Sequence, residues 1–172
     1  MAVEREIRFR VTSGAPPPGG RRMVQGYLLR GPRATARIRL ADGGGARLTV
    51  KTRRAAGGRH EWEWRVPAAL ARVLLRLPVP IVEKTRRAEG RVEVDVLTWP
   101  PGHVLVELEL EPDDPLDLRD PAARARRMEA HRPPWVRAWH DVTDDPDYTN
   151  ARIARRRTAR PRRRGRAPEG AG

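Results

Sequence analysis

The feature that most constrains this fold is a recurrent pair of like-charged side chains spaced two residues apart. In a β-strand, residues i and i+2 point to the same face, so each pair sets two like charges side by side. In several segments the remaining positions are apolar, which indicates strands with one packed face and one charged face. Acidic and basic strands both occur, so the charged faces are suited to metal ions beside a polyanion. The segments are Glu4/Glu6, Arg37/Arg39, Lys51/Arg53, Glu61/Glu63, Lys84/Arg86, Glu93/Asp95 and Glu107/Glu109/Glu111.

The alternation and the turn signals predict eight strands, and a change of period predicts helices between and after them. Eight strands with few helices predict an α+β, mainly β fold, an eight-stranded antiparallel closed barrel. Because the charged set is dense and sorted by sign, we expect it to face the lumen, with the apolar faces outside under the helices. The predicted strands are 3–11, 23–30, 34–41, 46–54, 59–66, 80–88, 91–98 and 103–111. The predicted helices are 67–76, 120–129 with Asp120 as N-cap, a short one at 135–139, and a last turn or helix at 147–155.

Charge and composition predict one domain followed by a basic tail. The chain has 172 residues and a formal net charge of +14, of which a large part lies in residues 155–172, with eight Arg and one Glu. We expect a domain at 1–154 and a disordered Arg-rich tail at 155–172. The tail is expected to be solubilising, or to contact polyphosphate or nucleic acid non-specifically. With no Cys, no secretory signal and no long apolar run, we expect a cytoplasmic protein with no membrane contact, as a monomer or a homodimer.

The sequence lacks the residue patterns that several common kinds of active site require. Ser13 is the only Ser and lies in a Gly/Pro-rich loop, which argues against a Ser-His-Asp hydrolase. The four His residues show no metal-ligand spacing, and no Gly-x-x-x-x-Gly-Lys motif is present. The paired-charge strands are therefore the main candidates for function.

The order of these motifs resembles that of the CYTH family, the triphosphate tunnel metalloenzymes, across about residues 3–154. The opening Glu4-x-Glu6-x-Arg8 is similar to the family signature Glu-x-Glu-x-Lys, with Arg8 in place of Lys. Gln25-Gly-Tyr-Leu28 resembles the second strand of short bacterial members with inorganic triphosphatase activity. The other segments that follow in family order are Arg37-Ile-Arg39, Leu48-Thr-Val-Lys51, Glu61-Trp-Glu63, Glu83-Lys-Thr-Arg86, Val92-Glu-Val-Asp95, Val106-Glu-Leu-Glu-Leu-Glu111 and Thr143–Asn150.

The resemblance implies a metal-dependent triphosphatase, in which Mg²⁺ or Mn²⁺ is held against a triphosphate inside a charged tunnel. Inorganic tripolyphosphate, cleaved to diphosphate and phosphate, is the expected substrate. The implied phosphate-binding residues are Arg8, Arg37, Arg39, Lys51, Arg53, Lys84 and Arg86. The implied metal ligands are Glu4, Glu6, Glu61, Glu63, Glu107 and Glu109, with Asp95 and Glu111 as weaker candidates. The implied catalytic residues are Arg8, Lys84, Glu61 and Glu63.

Other functions remain open from the sequence alone. A class IV-type adenylyl cyclase would use the same barrel, but its typical Asp-Thr-Tyr-Phe stretch is missing. A thiamine or nucleoside triphosphatase would need a base-recognition signal. A non-catalytic polyphosphate or nucleic-acid binding protein would use the charged tunnel without turnover. Arg8 keeps the charge of the signature Lys, but it cannot readily release a proton, so we expect no proton transfer at this position.

Overall fold

A computed structural model describes residues 5–53, 59–111 and 113–155. In these residues the fold is a single antiparallel sheet with few helices. The strands are β1 (Arg5–Gly14), β2 (Arg21–Arg30), β3 (Ala34–Ala41), β4 (Ala46–Arg53), β5 (Arg59–Arg65), β6 (Ile81–Glu89), β7 (Val92–Trp99), β8 (Pro101–Leu110) and β9 (Val136–Asp141). The helices are α1 (Ala68–Leu74), α2 (Pro121–Glu129) and α3 (Asn150–Arg155), with a 3₁₀ turn at Pro146–Tyr148. The strand order is β5-β4-β3-β2-β6-β7-β8-β1-β9.

The eight predicted strands and the helices α1 and α2 are confirmed. Asp120 caps α2 as predicted, because its carboxylate accepts a 2.8 Å hydrogen bond from the Ala122 N–H. The predicted helix at 135–139 is wrong, since this segment is the ninth strand, β9. It pairs with the outer half of β1, where Phe9 lies opposite Asp141 and Val11 opposite Trp139. The mainly β antiparallel class is therefore confirmed, with nine strands instead of eight.

The apolar faces of the strands lie under α1 and α2, as expected. Met128 of α2 packs on a cluster from β1, β7 and β8 that includes Ile7, Val94 and Val106. Ala71 of α1 packs on the outer side of β3 and β4. The opposite, charged face of these strands is left free to line an interior.

The third helix, however, does not pack outside. Ile153 and Ala154 of α3 lie in a buried cluster with Tyr27, Leu97 and Leu105. These three side chains belong to the same faces of their strands as the charged residues, so α3 covers one end of the charged face. The prediction that all helices pack outside is corrected here, because one end of the inner face is apolar and needs a cover.

Closure of the barrel is not confirmed. In the described ranges, no backbone pairing joins the edge strand β5 to the other edge, β9. The sheet is nevertheless strongly curled, because side chains from β1 and β4, six positions apart in strand order, line the same cavity. Of the helices that the structure describes, none has the length and apolar character needed to cross a membrane. The predicted tail, 155–172, lies beyond the described residues except at Arg155.

Candidate active site

The charged face encloses a cavity of about 380 Å³ that is lined from seven of the nine strands. Its polar lining falls into three groups. The basic wall comprises Arg37, Arg39, Lys51, Lys84 and Arg86, on β3, β4 and β6. The acidic wall comprises Glu6, Glu107 and Glu109, on β1 and β8, and Arg8 and Glu93 also line the cavity. The neutral polar residues are Gln25, Tyr27, Thr35, Thr49, Thr149 and Asn150.

Asp95 organises part of the basic wall from behind. This carboxylate on β7 is fully buried and does not line the cavity. It accepts a hydrogen bond from Lys84 Nζ, and two more from Arg86, at 2.7 Å from Nε and 2.6 Å from Nη2. Burial alone would raise the pKa of Asp95, but the hydrogen bond from Arg86 and the charge of Lys84 hold that pKa below its ordinary value. Asp95 therefore stays ionised and fixes two cations, which makes it a structural partner of the cavity.

Glu107 connects the acidic and basic walls. Its carboxylate accepts a 2.7 Å hydrogen bond from Arg8 Nε and a 2.8 Å bond from Arg86 Nη2. Arg8 also pairs with Glu6, its neighbour two residues away. Burial lowers the pKa of Arg8, but the charges of Glu107 and Glu6 outweigh it and raise that pKa. Arg8 is thus a permanent cation set among carboxylates, in the position of the predicted phosphate contact.

The acidic wall contains a cross-strand pair of carboxylates. Glu6 and Glu109 lie directly opposite each other on β1 and β8, an arrangement that costs stability for like charges. The similar pair Glu93 and Glu107 is bridged by Arg86, which contacts both. For Glu109, which is exposed to the cavity, no ion pair is seen within the described residues.

These oxygens suit a hard divalent cation, although the described part of the chain does not complete a site. Carboxylate oxygen is the ligand that Mg²⁺ prefers. No group of three His, Asp or Glu side chains in the described ranges is close enough to hold a metal ion. Glu4, the other predicted ligand on this strand, lies outside the described residues. Glu6 and Glu109 lie opposite each other on β1 and β8, with Glu107 two residues from Glu109, so these carboxylates are the candidate ligands among the described residues.

Glu61 and Glu63, predicted as metal ligands and catalytic residues, lie on β5 as partners of cavity cations. Glu61 is 2.9 Å from Lys51 Nζ and 3.7 Å from Arg37, while Glu63 is 3.3 Å from Arg39. Neither is among the residues that line the cavity. Glu111 is also outside it, exposed, 4.0 Å from Arg91. The side chain of Arg53 is not among those described.

Neutral side chains of the cavity were missed by the charge pattern. Gln25 and Tyr27 are buried on β2, and the Gln25 amide donates to the Tyr27 hydroxyl. Burial raises the pKa of Tyr27 to about 12, so its hydroxyl stays protonated at neutral pH. The alternation of Gln25 and Tyr27 across Gly26 places both on the inner face, which is the signal that could have identified them.

Around Arg39, the neighbouring carboxylate does not balance the positive charge of the surrounding arginines. Burial and the neighbouring charge of Arg37 lower the pKa of Arg39, and Arg86 and Arg47 act in the same direction. Glu63 opposes this effect but does not cancel it. An anion bound between these guanidinium groups would remove the repulsion, so this part of the basic wall favours a polyanionic ligand.

Comparison with known proteins gives matches at the level of structure. No family model and no curated protein matches the chain. The crystal structure of the inorganic triphosphatase NE1496 aligns with a TM-score of 0.56 and 26% identity, covering 90% of this chain and 95% of its own. A second structure, described as the hypothetical protein NE1496, aligns with a TM-score of 0.56 and 24% identity, covering 88% and 97%.

A plant structure is more distant. The adenylyl cyclase HpAC1 from Hippeastrum, described as having a dominant triphosphatase activity, aligns with a TM-score of 0.40 and 16% identity over 74% of this chain and 85% of its own. The assignment therefore depends on NE1496, whose alignment spans nearly the whole of both chains. Together with the ordered strand motifs, it confirms the resemblance: this chain has the fold of the CYTH family, the triphosphate tunnel metalloenzymes.

Proposed function

We propose that the chain hydrolyses a triphosphate, and that its substrate is inorganic tripolyphosphate. The observation that carries this proposal is a single cavity with a basic wall on one side and an acidic wall on the other. Such a cavity can bind phosphate oxygens and a divalent cation at the same time. The similarity to an inorganic triphosphatase supports the same chemistry. A closed tunnel is the finer form of this proposal, supported by the shared lining of strands as distant as β1 and β4.

The basic wall would bind the phosphate chain. Arg37, Arg39 and Lys51 come from the neighbouring strands β3 and β4, so they present a continuous cationic surface to a linear anion. Lys84 and Arg86, which Asp95 holds in place, would bind the opposite side of the triphosphate. Tyr27 and Gln25 provide neutral hydrogen-bonding groups beside it. No adenine or thiamine recognition is needed for these contacts, which favours an inorganic substrate.

The acidic wall would hold the divalent cation, Mg²⁺ or Mn²⁺. Glu6 and Glu109 are the proposed ligands, with Glu107 beside them and Glu4 as a further ligand on the same strand. When bound, the cation supplies charge neutralisation of the phosphates and lowers the pKa of a coordinated water. Glu61 and Glu63 are retained in this proposal as groups that orient Lys51 and Arg39, and their predicted metal-binding role stays a prediction.

The reaction would be an in-line attack by water on the terminal phosphorus. The bond from that phosphorus to its bridging oxygen breaks, which gives phosphate and diphosphate, and the proton lost by the attacking water passes to the released phosphates or to solvent. Arg8 and Lys84 would stabilise the negative charge that develops on the transferring group and the leaving oxygen. Arg8 acts only as a fixed cation in this scheme, because a guanidinium does not release its proton.

Phosphate release from purified protein tests the proposal. Tripolyphosphate, ATP and thiamine triphosphate are compared with Mg²⁺, with Mn²⁺ and with EDTA. We expect metal-dependent release that is fastest from tripolyphosphate. Glu109→Gln should lower kcat/KM by roughly 100-fold or more, since it removes a proposed metal ligand. Glu111→Gln is the matched control, because it removes the same charge two residues further on, outside the cavity, and should change little.

Other outcomes would point to the remaining candidates. Formation of a cyclic nucleotide from ATP would indicate a cyclase, and faster release from thiamine triphosphate would indicate a different triphosphatase. Tight binding of tripolyphosphate without release under any metal condition would contradict hydrolysis and favour a binding protein. Equal loss in Glu109→Gln and Glu111→Gln would contradict the proposed role of the acidic wall.

A further inference from the structure

A second cavity of about 520 Å³ adjoins the first at the opposite end from α3. The two cavities share the lining residues Arg39, Arg86 and Glu93, so they lie next to each other. The charged residues of the second cavity are Arg21, Arg39, Arg47, Arg65, Arg86 and Glu93. Five arginines and one glutamate thus line this cavity, and Arg21, Arg47 and Arg65 are not part of the proposed triphosphate site.

The arginines of the second cavity lie directly opposite one another. Arg39, Arg47 and Arg65 form a row across β3, β4 and β5. Arg21 and Arg86 form a second such pair across β2 and β6. Like charges at directly opposed positions destabilise a sheet. A sequence that places all five at such positions therefore carries a cost that a bound anion would relieve.

Carboxylates of the protein compensate this charge only in part. Glu63 pairs with Arg39 and Arg47, and Arg86 pairs with Glu93, Asp95 and Glu107, so the compensation is concentrated on these three arginines. Arg65 is exposed and has no ion pair among the described residues, and Arg21 donates to the Asp42 carbonyl at 3.2 Å.

A glycine leaves the room that Arg21 occupies. A Cβ placed on Gly45 would lie 2.7 Å from Arg21 Nη2, so the end of the Arg21 side chain would have to shift. Gly45, in the turn between β3 and β4, therefore lies directly against the Arg21 guanidinium.

We infer that the second cavity binds the part of a linear inorganic polyphosphate that extends beyond the third phosphate. This inference rests on the proposed function, because it places the terminal three phosphates in the first cavity. The shared residues Arg39 and Arg86 give the polyphosphate a continuous cationic path between the two cavities. An unbranched phosphate chain repeats the same charge along its length, which matches the rows of arginines. The substrate class is therefore linear polyphosphates longer than tripolyphosphate.

Chain-length dependence of binding tests this inference. Dissociation constants for tripolyphosphate and for a polyphosphate of defined length, about twenty phosphates, are measured by calorimetry in EDTA, so that no turnover is required. We expect the wild-type protein to bind the longer chain more tightly per molecule. Arg21→Gln and Arg65→Gln should each weaken its binding by about two- to fivefold, and the double variant by roughly the product. Arg72→Gln, on the exposed side of α1, is the matched control and should leave binding unchanged.

The salt dependence separates direct contact from a structural effect. Each arginine that contacts phosphate should lower the slope of log K against log salt concentration by about one. Tripolyphosphate binding and hydrolysis should stay as in the wild type in both variants, since neither residue lines the first cavity. Unchanged affinity and slope for the long chain in the double variant would overturn the inference. Equal competition by single-stranded RNA would also overturn it, in favour of general polyanion binding.

Failure of the proposed function gives a different result. A protein that releases no phosphate from tripolyphosphate, but whose long-chain binding depends on Arg21 and Arg65, contradicts hydrolysis and supports the second cavity. A protein that hydrolyses tripolyphosphate, but whose long-chain binding is insensitive to both substitutions, supports the proposed function and contradicts the second cavity.

Discussion

At the scale of single residues, the cavity depends on carboxylates that hold cations in place before any ligand binds. Asp95 is the clearest example, because it is fully buried and contacts both Lys84 and Arg86. Lys84 is only 3% exposed, so without Asp95 its charge would be both desolvated and unpaired. Removing one partner of a buried ion pair costs far more than the pair contributes. The positions of Lys84 and Arg86 in the basic wall are therefore set by a residue that does not itself line the cavity.

The first residue-scale prediction concerns Asp95→Asn. The substitution should lower the free energy of unfolding by about 3–5 kcal/mol, because Lys84 and Arg86 lose their buried counter-charge. Urea denaturation at neutral pH measures the loss. Asp113→Asn, which changes an exposed acid, is the control and should stay within about 0.5 kcal/mol of the wild type. A loss as small as that of the control would contradict the anchoring role of Asp95.

The pH dependence of stability provides a second test of the same residue. The pKa of Asp95 is lower in the folded protein than in the unfolded chain. Its contribution is therefore fully present above about pH 4, near the unfolded pKa, and is lost as pH falls through the folded pKa. We expect the wild type to lose stability more steeply than Asp95→Asn on acidification, as measured by urea midpoints down to about pH 3. Parallel curves for the two proteins would contradict this expectation.

The sequence allowed the charged residues to be placed on one face but not their pairing. Alternation at i and i+2 is a local property, so Lys84, Arg86 and Asp95 could be assigned to inner faces directly. Which carboxylate contacts which cation depends on strand register, and in this fold that register is set by non-local pairing. Asp95 was accordingly considered as a metal ligand, whereas the structure buries it against Lys84 and Arg86.

At the scale of elements, the predictions succeeded where a pattern is local and failed where an element is fixed by distant contacts. The strand β3 was predicted at its observed bounds, because its alternation is strict. The segment predicted as a helix at 135–139 has Trp135 and Trp139 four residues apart, a spacing that fits a helix, but most of it lies in β9. In the structure it extends along the part of β1 beyond β8, and Trp139 packs on Phe9 with ring centroids 5.2 Å apart. Long-range pairing here overrides the local signal.

The element-scale prediction concerns the end of the cavity that α3 covers. Ile153 is buried on the inner face with Tyr27 and Leu105, and α3 also brings Asn150 and Ala151 to the cavity lining. Ile153→Ala should destabilise this packing by about 2–5 kcal/mol and expose the end of the cavity. We expect a higher KM for tripolyphosphate and faster amide hydrogen exchange in residues 146–155, measured by mass spectrometry.

A substitution on the other side of the same helix serves as the control. Arg152 is exposed, so Arg152→Ala should leave both KM and exchange close to the wild type. If Ile153→Ala accelerates exchange without any change in KM, the cover provided by α3 does not contribute to substrate binding. If neither quantity changes, the packing of α3 on the inner face is contradicted.

At the scale of the whole molecule, the sheet separates charge by sign across its curled inner surface. The strands β3, β4 and β6 contribute the basic wall of the first cavity, and β1 and β8 contribute its acidic wall, in which Arg8 is a cation among carboxylates. Like charges lie directly opposite in both regions, as with Arg39 and Arg47 or Glu6 and Glu109. The free energy gained by burying apolar clusters on the outer faces of the strands offsets the cost of this repulsion. A ligand that carries anionic groups, together with a cation, would relieve the repulsion in both regions at once.

This relief should appear as ligand-dependent stability of the whole domain. At about 100 times its dissociation constant, tripolyphosphate should add about 2.7 kcal/mol to the free energy of unfolding. For a chain of this size, that corresponds to a rise in Tm of about 5–10 °C, measured by calorimetry in EDTA. Sulfate at equal ionic strength should raise Tm much less, because it is not a linear chain that can contact the basic wall along its length. Lys51→Gln should reduce the rise in Tm that tripolyphosphate causes, whereas Arg72→Gln should leave it unchanged. Equal rises in Tm with sulfate and with tripolyphosphate would show that the basic wall responds to ionic strength alone.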